Sequence, residues 1–470
     1  MRHVILGAGP AGVIAAETIR KHAPYDSITI VGDEPEAPYS RMAIPYLLAG
    51  DIAESGTHLR HGAAHYATLR IAVKHARCTG VDAARRSITL SDGSVLLFDT
   101  LLVATGSQPM RPPIPGIDRP EVNACWTLAD ARAIMHKTQK GTRVLQMGAG
   151  FIGCIIMEAL AARGVQLTVV EMGDRMVPRM MGPTAGNMIK AWCEKKGVKV
   201  HTGARVEAIE SASGAAPAAQ PSRAAAPAPS GGLLGKIASF FGAGSPAPAP
   251  APAPASVPAN GRGLKVRLSN GQVIETDFII SATGVKPNVA FLANSGVRTG
   301  LGVLTDDRMQ SNVAGVYAAG DCAEAFDRMT GKPVVSAIQP NAADQAYVAA
   351  MNMVGRAATL KQVTQINVLD TLGLVSTSFG EWQGVPGGQH VELTDRANGR
   401  HLSLQFKDDV LVGCNSIGWT DHVGVMRGLV EGKVKLGEWK DALMQDPTQL
   451  MAAYLARAQA AEARALVKAA

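Results

Sequence analysis

Two glycine-rich segments, each set in a strand–turn–helix–strand pattern, restrict the fold of this chain more than any other feature. The first is HVILGAGPAGVIAAETIRKHAPYDSITIVGDE, with its GxGxxG positions at Gly7, Gly9 and Gly12. The second is RVLQMGAGFIGCIIMEALAARGVQLTVVEMGDR, with the same positions at Gly148, Gly150 and Gly153. Such glycines allow a tight turn, close approach of the backbone to a pyrophosphate, and close helix–strand packing. The repeat predicts an α/β chain with two Rossmann-like dinucleotide-binding units.

Each unit ends in an acidic residue at the end of its second strand. Glu34 follows Gly12 by 22 residues, and Glu171 closes the second unit. A carboxylate at this point accepts hydrogen bonds from ribose hydroxyls. Because Glu171 would repel a 2′-phosphate, the second unit favours NADH over NADPH, although Arg175 could soften that preference.

Composition excludes several classes of protein. At 470 residues the chain is too long for one core, and its 47% hydrophobic and 18% charged residues are typical of globular proteins. A net charge of +7 is spread along the sequence, so we expect no nucleic-acid partner, although a mildly basic surface suits an acidic protein. Met1 leads directly into an apolar strand, and no long apolar run follows, so we expect a cytoplasmic protein.

Cysteine and histidine usage predicts no metal site. The six cysteines form no CxxC pair, and we expect free, mostly buried thiols at Cys78, Cys125, Cys154, Cys193, Cys322 and Cys414. Three histidines stand at helical spacing in HLRHGAAHY with no carboxylate or further ligand accompanying them, so we expect them to face solvent: His58, His61 and His65.

Residues 211–262 differ abruptly from the rest of the chain, being rich in Ala, Pro, Ser and Gly. Such a composition predicts a disordered or extended tether, inserted at the tip of a hairpin because both flanks read as strands. Within it, LLGKIASFFG in residues 231–244 would gather its apolar side chains on one face of a short helix. This segment either folds back onto the protein or docks to a partner or a membrane surface.

The last hundred residues contain short β-type runs followed by helix. We expect an α+β unit over residues 359–445 and a helix over 446–470, since Pro447 stands just inside an alanine-rich stretch. Neither part carries a catalytic cluster.

Together these features resemble the pyridine nucleotide-disulfide oxidoreductases. Besides both glycine units, the resemblance includes LLVATGSQP with Thr105 and Gly106, IISATGVKPN with Thr283 and Gly284, and GVYAAGDCAE with Gly320 and Asp321, in the family's order. It implies a glutathione-reductase-like fold: an FAD domain over 1–115 and 286–358, an NAD(P)H domain over 116–285, and a C-terminal interface domain through which the family forms homodimers.

The resemblance also implies which residues bind the cofactors. For FAD they are Gly7, Gly9, Pro10, Ala11, Gly12, Glu34, Arg41, Thr105, Gly106, Gly320 and Asp321. For NADH they are Gly148, Gly150, Phe151, Ile152, Gly153, Glu171 and Gly284.

The segment PYSRMAIPYLLAG departs from the family at the flavin. Where the coenzyme A-disulfide reductases have Cys-Gly, this chain has Met42 and Ala43, so the redox thiol is absent. Where the ferredoxin reductases pair a lysine with a glutamate, it has Tyr46 and Ile155. Losing one partner would leave a buried charge that costs about 3–5 kcal/mol, whereas replacing both can be neutral. The double replacement indicates an adapted, apolar wall at the flavin.

These departures favour one function and leave two others open. The favoured function is hydride transfer from NADH to FAD by orientation alone, then electron transfer to an external carrier such as a rubredoxin or ferredoxin. One alternative is an NADH oxidase or a reductase of disulfides or small oxidants, for which Cys322 is the nearest thiol by motif, although we expect it to be a buried packing residue. The other is a flavin-bearing subunit or redox sensor tethered to a larger assembly.

Overall fold

A computed structural model describes residues 1–60, 62, 64–212, 263–327, 331–361, 363 and 366–469, with side chains up to residue 459. The first part of the chain contains β1 (Arg2–Leu6), α1 (Pro10–His22), β2 (Ser27–Gly32), α2 (Ile44–Ala49), α3 (Ala64–Thr68), β3 (Ile71–His75), β4 (Cys78–Asp82), β5 (Ser87–Leu90), β6 (Val95–Leu97), β7 (Thr100–Val103) and β8 (Ser107–Pro109). The second part contains β9 (Val122–Asn123), α4 (Leu128–Lys137), β10 (Arg143–Met147), α5 (Phe151–Ala162), β11 (Gln166–Val170), α6 (Pro183–Lys195), β12 (Lys199–His201), β13 (Val206–Ser211), β14 (Leu264–Leu268), β15 (Val273–Thr276), β16 (Phe278–Ser281) and β17 (Val285–Pro287).

The remaining elements form the third and fourth parts. The third contains β18 (Val303–Thr305), β19 (Val316–Ala318), β20 (Ala323–Asp327), β21 (Lys332–Val334) and α7 (Gln339–Met353). The fourth contains β22 (Ile366–Thr371), β23 (Leu374–Gly380), β24 (Gln389–Asp395), β25 (Arg400–Lys407), β26 (Val410–Ile417), α8 (Val423–Glu431), α9 (Trp439–Gln445) and α10 (Leu450–Ala469).

Two parallel five-stranded sheets carry the glycine units. Their strand orders are β19-β7-β1-β2-β3 and β12-β11-β10-β16-β9. Their central strands are largely apolar, as expected where helices cover both faces of a parallel sheet. In the first sheet α1 packs against α7, so the chain returns to the first unit after completing the second.

The two units repeat each other down to single hydrogen bonds. The N–H of Gly7 donates to Val31 O at 2.7 Å, and that of Gly148 donates to Val170 O at 2.8 Å. Each unit also has a matching bond to the strand on its other side, from Ala104 N to Leu6 O and from Ala282 N to Met147 O. The predicted pair of Rossmann-like units is confirmed.

The C-terminal part is an antiparallel sheet covered by helices. Its strand order is β22-β23-β26-β25-β24, and α8, α9 and the start of α10 pack over a core that includes Phe379, Leu404 and Met426. Asn415 on β26 fixes this sheet to the second unit, accepting from Gly182 N at 2.9 Å and donating to Met180 O at 3.0 Å. The predicted α+β unit is therefore seated against the second glycine unit.

The insertion leaves from a hairpin, as predicted. Strands β13 and β14 pair antiparallel with Ser211 opposite Leu264, and Ala212 N donates to Gly263 O at 2.7 Å. The predicted start of the tether at Ser211 is wrong by two residues, because ladder pairing holds Ser211 and Ala212 in the hairpin. Residues 213–262, and with them the predicted docking segment 231–244, lie outside the described residues.

The C-terminal helix begins later than the sequence predicts. Residues Pro447–Gln449 form a single 3-10 turn, and Asp446 caps it by accepting from Thr448 N at 3.0 Å. The helix α10 starts at Leu450, because the cap on Asp446 makes that residue a boundary rather than a helical one. Of the helices in the described part of the chain, none combines the length and apolar character of a membrane span.

Candidate functional site

The first glycine turn is an open cradle for a phosphate. A Cβ on Gly7 would lie 2.0 Å from Ala104 O, and one on Gly12 would lie 1.9 Å from Gly7 O, so both positions require glycine. At Gly9, by contrast, a Cβ would meet nothing within 4 Å, and no side chain caps the start of α1. The free N–H groups of that helix start therefore face open space, which fits the pyrophosphate of FAD.

The second turn repeats this arrangement. A Cβ on Gly148 would lie 2.4 Å from Ala282 O, whereas the space at Gly150 is open, and α5 begins without a side-chain cap. The predicted residues Phe151 and Ile152 form its first turn. The residues present therefore fit a second dinucleotide.

A cavity of about 340 Å³ lies beyond β2 and β3, lined by Asp33, Glu34, His75 and Arg77 among others. It lies at the carboxyl ends of parallel strands, where nucleotides bind in such folds, and it fits the adenosine end of FAD. The Asp33 carboxylate, 44% exposed, was missed by the sequence reasoning although it immediately precedes Glu34.

Glu34 is bound to the segment that carries the predicted flavin wall. Its carboxylate accepts from the Tyr39 hydroxyl and from Arg41 Nη2, both at 2.6 Å. The Arg41 guanidinium lies 5.8 Å from the ring centroid of Tyr39 and 5.4 Å from that of Trp126, and it donates to Trp126 O at 2.7 Å. Burial raises the pKa of the Tyr39 hydroxyl, which keeps it a donor to Glu34. The ribose contact of Glu34 therefore stays a prediction, since both its oxygens already have partners.

Asp321, predicted to bind FAD, is held by a second set of hydrogen bonds. It lies in a 3-10 turn after β19, and Gly320 N donates to Gln345 Oε1 at 2.9 Å. The Asp321 carboxylate accepts from the Ser107 hydroxyl at 2.7 Å, and burial raises its pKa. Trp126 Nε1 donates to Ser107 O at 2.9 Å and so links this carboxylate to Arg41. Trp126 was missed because it lies in no motif, and Ser107 was missed because only Thr105 and Gly106 were singled out within LLVATGSQP.

The two Thr-Gly turns predicted to line the cofactors are joined by a short ribbon. Strands β8 and β17 pair antiparallel, with Ser107 opposite Pro287 and Pro109 opposite Val285. At one end Thr105 Oγ1 donates to Asn288 O at 2.7 Å and Asn288 N donates to Gly106 O. At the other, Met110 N donates to Gly284 O at 2.8 Å. The ribbon brings the loops of the two nucleotide units together.

The predicted flavin wall is apolar and partly exposed. Met42 and Tyr46 expose 50% and 58% of their surface, whereas Ala43 is half-buried. Ile155 is half-buried on α5, which packs against α2. Ser40, beside this wall, donates to Gln339 Oε1 at 3.0 Å at the start of α7. No side chain at Met42, Ala43, Tyr46 or Ile155 carries a charge or a thiol.

All six cysteines are free and buried, as predicted. The Sγ of Cys322 donates to Val103 O at 3.2 Å and to Ala319 O at 3.4 Å, and burial raises its pKa. Burial likewise raises the pKa of Cys154 on α5. Cys322 is a packing residue, since its thiol points into the first sheet and holds its proton.

Within the described residues no group of three side chains could hold a metal ion. His65, however, contacts Glu17 at 2.8 Å, so the expectation that no carboxylate accompanies this histidine is wrong. The carboxylate arrives from α1, 48 positions away in the chain, and also binds Arg60.

The molecule has two glycine turns that fit phosphates, the β8–β17 ribbon that joins them, and an apolar surface beside them. Together these features define an FAD-dependent NAD(P)H oxidoreductase. A sequence profile described as "Pyridine nucleotide-disulphide oxidoreductase" matches residues 1–222 and 253–351. The chain belongs to this family, and its cofactors are FAD and NADH.

Individual relatives are more distant. The chain is 29% identical over 450 residues to the NADH-dependent phenylglyoxylate dehydrogenase subunit epsilon of Aromatoleum evansii, and this match covers 95% of each chain. It is 25% identical over 357 residues to the rubredoxin-NAD(+) reductase of Pseudomonas putida, covering 76% of this chain and 80% of that one. Among solved structures, a putidaredoxin reductase–putidaredoxin complex matches with a TM-score of 0.79 at 19% identity, covering 97% of this chain and 99% of the other. The similarity to the putidaredoxin reductase complex concerns the fold alone.

Proposed function

We propose that this protein passes electrons from NADH, through bound FAD, to an external one-electron carrier such as a rubredoxin or ferredoxin, without a protein disulfide. One observation carries the proposal: every cysteine is buried and free, while Met42 and Tyr46 expose half or more of their surface where related enzymes hold a thiol or a charged pair. A disulfide mechanism needs an accessible thiolate, and burial opposes one.

The relatives support a carrier as the acceptor. One is named a rubredoxin-NAD(+) reductase, and one structural neighbour was solved as a reductase bound to its putidaredoxin. The net charge of +7 would favour an acidic carrier by electrostatic attraction.

Bound FAD supplies the ability to accept a hydride and to release electrons. The chain contributes binding and orientation: the starts of α1 and α5 hold the phosphates, the β8–β17 ribbon joins the two sites, and Asp321 faces the FAD side with Ser107. The wall of Met42, Ala43 and Tyr46 carries no carboxylate, amine or thiol, so it serves to exclude water and to meet the acceptor.

Anaerobic titration with NADH tests the proposal. We expect one equivalent of NADH to bleach the flavin absorbance of the purified protein, and we expect rubredoxin or ferredoxin from the same host to restore it faster than oxygen or a disulfide does. Faster recovery with oxygen or with a disulfide substrate would instead identify an oxidase or a disulfide reductase.

A pair of tyrosine variants locates the point of electron exit. Tyr46 is 58% exposed on the wall, and Tyr25 is 89% exposed at the turn between α1 and β2. Tyr46→Ala should slow reduction of the carrier while leaving FAD content unchanged, whereas Tyr25→Ala should change neither. If Tyr46→Ala reduces the carrier as fast as Tyr25→Ala does, the electrons leave the protein at another point on its surface.

A second candidate is a flavin-bearing subunit of a larger dehydrogenase. It is favoured by the match over 95% of both chains to a protein that is named as a subunit. Here the isolated protein would still bleach with NADH, but it would co-purify with other chains and exchange electrons with them rather than with a free carrier. Affinity purification from the host, followed by an NADH assay of the complex, separates the two.

The remaining assignments are also proposals. The cofactor contacts named from sequence, the domain limits at residues 115, 285, 358 and 445, a homodimer formed through the C-terminal sheet, and a cytoplasmic location follow from the family resemblance. Light scattering on the eluted protein tests the dimer, and fractionation of host cells tests the location.

A further inference from the structure

One buried polar side chain lies directly beneath the second glycine turn. Gln146 on β10 is 0% exposed. Its Nε2 donates to the carbonyl oxygens of Gly148 and Gly153, both at 2.9 Å. The two amide protons therefore tie the first residue of the turn to the first turn of α5.

The other end of this amide has no partner. Gln146 Oε1 is buried and accepts no hydrogen bond. The reverse orientation would put Oε1 against two carbonyl oxygens, so the observed one is required. A buried amide oxygen without a partner is unfavourable in an otherwise apolar strand. An apolar residue would avoid this cost, so what glutamine offers at this position is the pair of hydrogen bonds that its Nε2 donates.

The first glycine unit provides an internal comparison. There Ile5 occupies the equivalent position, two residues before the first glycine, and is also 0% exposed. A Cβ on Gly12 would lie 1.9 Å from Gly7 O, whereas one on Gly153 would lie 2.5 Å from Gly148 O. The second turn is thus the more open of the two, and the Gln146 amide spans it.

The same brace connects to the predicted ribose acid. The peptide between Gly148 and Ala149 is held at both ends, since its carbonyl accepts from Gln146 and its N–H donates to Glu171 Oε2 at 2.7 Å. Gln146 on β10 and Glu171, which directly follows the neighbouring strand β11, together fix the plane of this peptide. Its orientation sets where the turn presents N–H groups and where Glu171 points.

We propose that Gln146 is a positioning residue for NADH, bracing the second glycine turn and, through the Gly148–Ala149 peptide, the carboxylate of Glu171. The proposal rests on the assignment of NADH to the second unit. It concerns only the adenosine-diphosphate half of the dinucleotide, which the turn would hold, and not the electron acceptor.

The test uses Gln146→Met, which keeps the length of the side chain and removes both hydrogen bonds. ADP-ribose, which lacks the nicotinamide ring, is titrated by calorimetry into the FAD-loaded full-length protein. We expect its affinity to fall about tenfold, since two hydrogen bonds that orient the turn are lost. The FAD content should not change.

Leu145→Met is the matched control. Leu145 is also 0% exposed on β10, but its side chain is apolar and packs in a hydrophobic cluster with Ile117 and Val266. We expect ADP-ribose affinity in this variant to stay within twofold of the wild type. Gln146→Ile, which copies the first unit, serves as the second variant and should show the same loss as Gln146→Met.

Each other outcome overturns the proposal in a recognisable way. ADP-ribose affinity within twofold of the wild type in both Gln146 variants would show that the brace does not position the dinucleotide. Failure of both variants to fold would make Gln146 a structural residue instead. If the wild type itself does not bind ADP-ribose, the assignment of NADH to this unit falls first, a result distinct from a failure of the Gln146 variants alone.

Discussion

Glu171→Gln is the most informative single change in the NADH unit. Glu171 is 9% exposed, and its two oxygens accept from different backbone N–H groups: Oε1 from Gly173 and Oε2 from Ala149, each at 2.7 Å. A glutamine has only one oxygen, so its NH₂ must face one of these donors. Facing Ala149 would leave a buried N–H unpaired, whereas Gly173 is only partly buried and can bind water. The variant should keep the bond to Ala149 and lose the one to Gly173.

The expected cost follows from that choice. One hydrogen bond to a charged acceptor contributes about 1.5–3 kcal/mol, so we expect the free energy of unfolding to fall by about 2 kcal/mol. Urea-induced unfolding of the FAD-loaded protein measures it, with Trp192 on α6 of the same unit among the fluorescent reporters. Asp174→Asn is the control, because its side chain is 73% exposed and its loss should change stability by less than about 0.5 kcal/mol.

Glu171→Gln also removes the charge that disfavours a 2′-phosphate. We expect the preference for NADH over NADPH, measured as the ratio of kcat/KM values, to fall about tenfold, which corresponds to roughly 1.4 kcal/mol. A variant as stable as the wild type and equally selective would refute the reasoning, because it would mean that neither the two backbone bonds nor the charge matters. Loss of stability with unchanged selectivity would leave Glu171 a structural residue only.

Three further predictions concern the wall, the thiols and pH. Ile155→Glu should destabilise by about 2 kcal/mol because a carboxylate is placed half-buried without a partner, and Tyr46→Lys added to it should recover part of that loss, as a double-mutant cycle in urea would measure. Cys322→Ala should leave NADH-driven bleaching and carrier reduction within twofold of the wild type, and a larger loss in stopped-flow rates would revive a thiol mechanism. His401 is buried and its pKa is lowered by that burial, so the unfolded chain binds its proton more readily. Stability should therefore fall as pH drops below about 6.5, with a shallower slope in His401→Gln, and equal slopes would exclude this histidine.

The parts of the site that follow from local backbone geometry were predictable from the chain alone. Glycine is required at Gly7 and Gly148 because φ is positive there, and because a Cβ would lie only 2.0 Å and 2.4 Å, respectively, from a carbonyl oxygen. Such constraints act within a few residues, so they leave a readable spacing. The buried thiols and the hairpin that bears the insertion were predictable for the same kind of reason, since each follows from composition or alternation.

Contacts between distant segments were not predictable. Ser107 and Trp126 approach Asp321 and Arg41 only after the β8–β17 ribbon and the return of α7 to the first unit are formed. Glu17 reaches His65 in the same manner, from a separate element. In the sequence, Gln146 is only a polar residue within an apolar strand. Its hydrogen bonds to Gly148 and Gly153 are found only in the structure.

The sequence by itself determined that this protein has two dinucleotide units, that the segment PYSRMAIPYLLAG contains no cysteine, and that an insertion interrupts a hairpin. These are properties of short stretches, in which glycine spacing and apolar periodicity act through the backbone. Only the tertiary structure decided which polar groups meet: Glu34 with Tyr39 and Arg41, Glu171 with the turn above Gln146, and Asn415 with the loop before α6. Hydrogen bonds require donors and acceptors to approach within about 3 Å, and that proximity is set by how the sheets pack rather than by the order of residues.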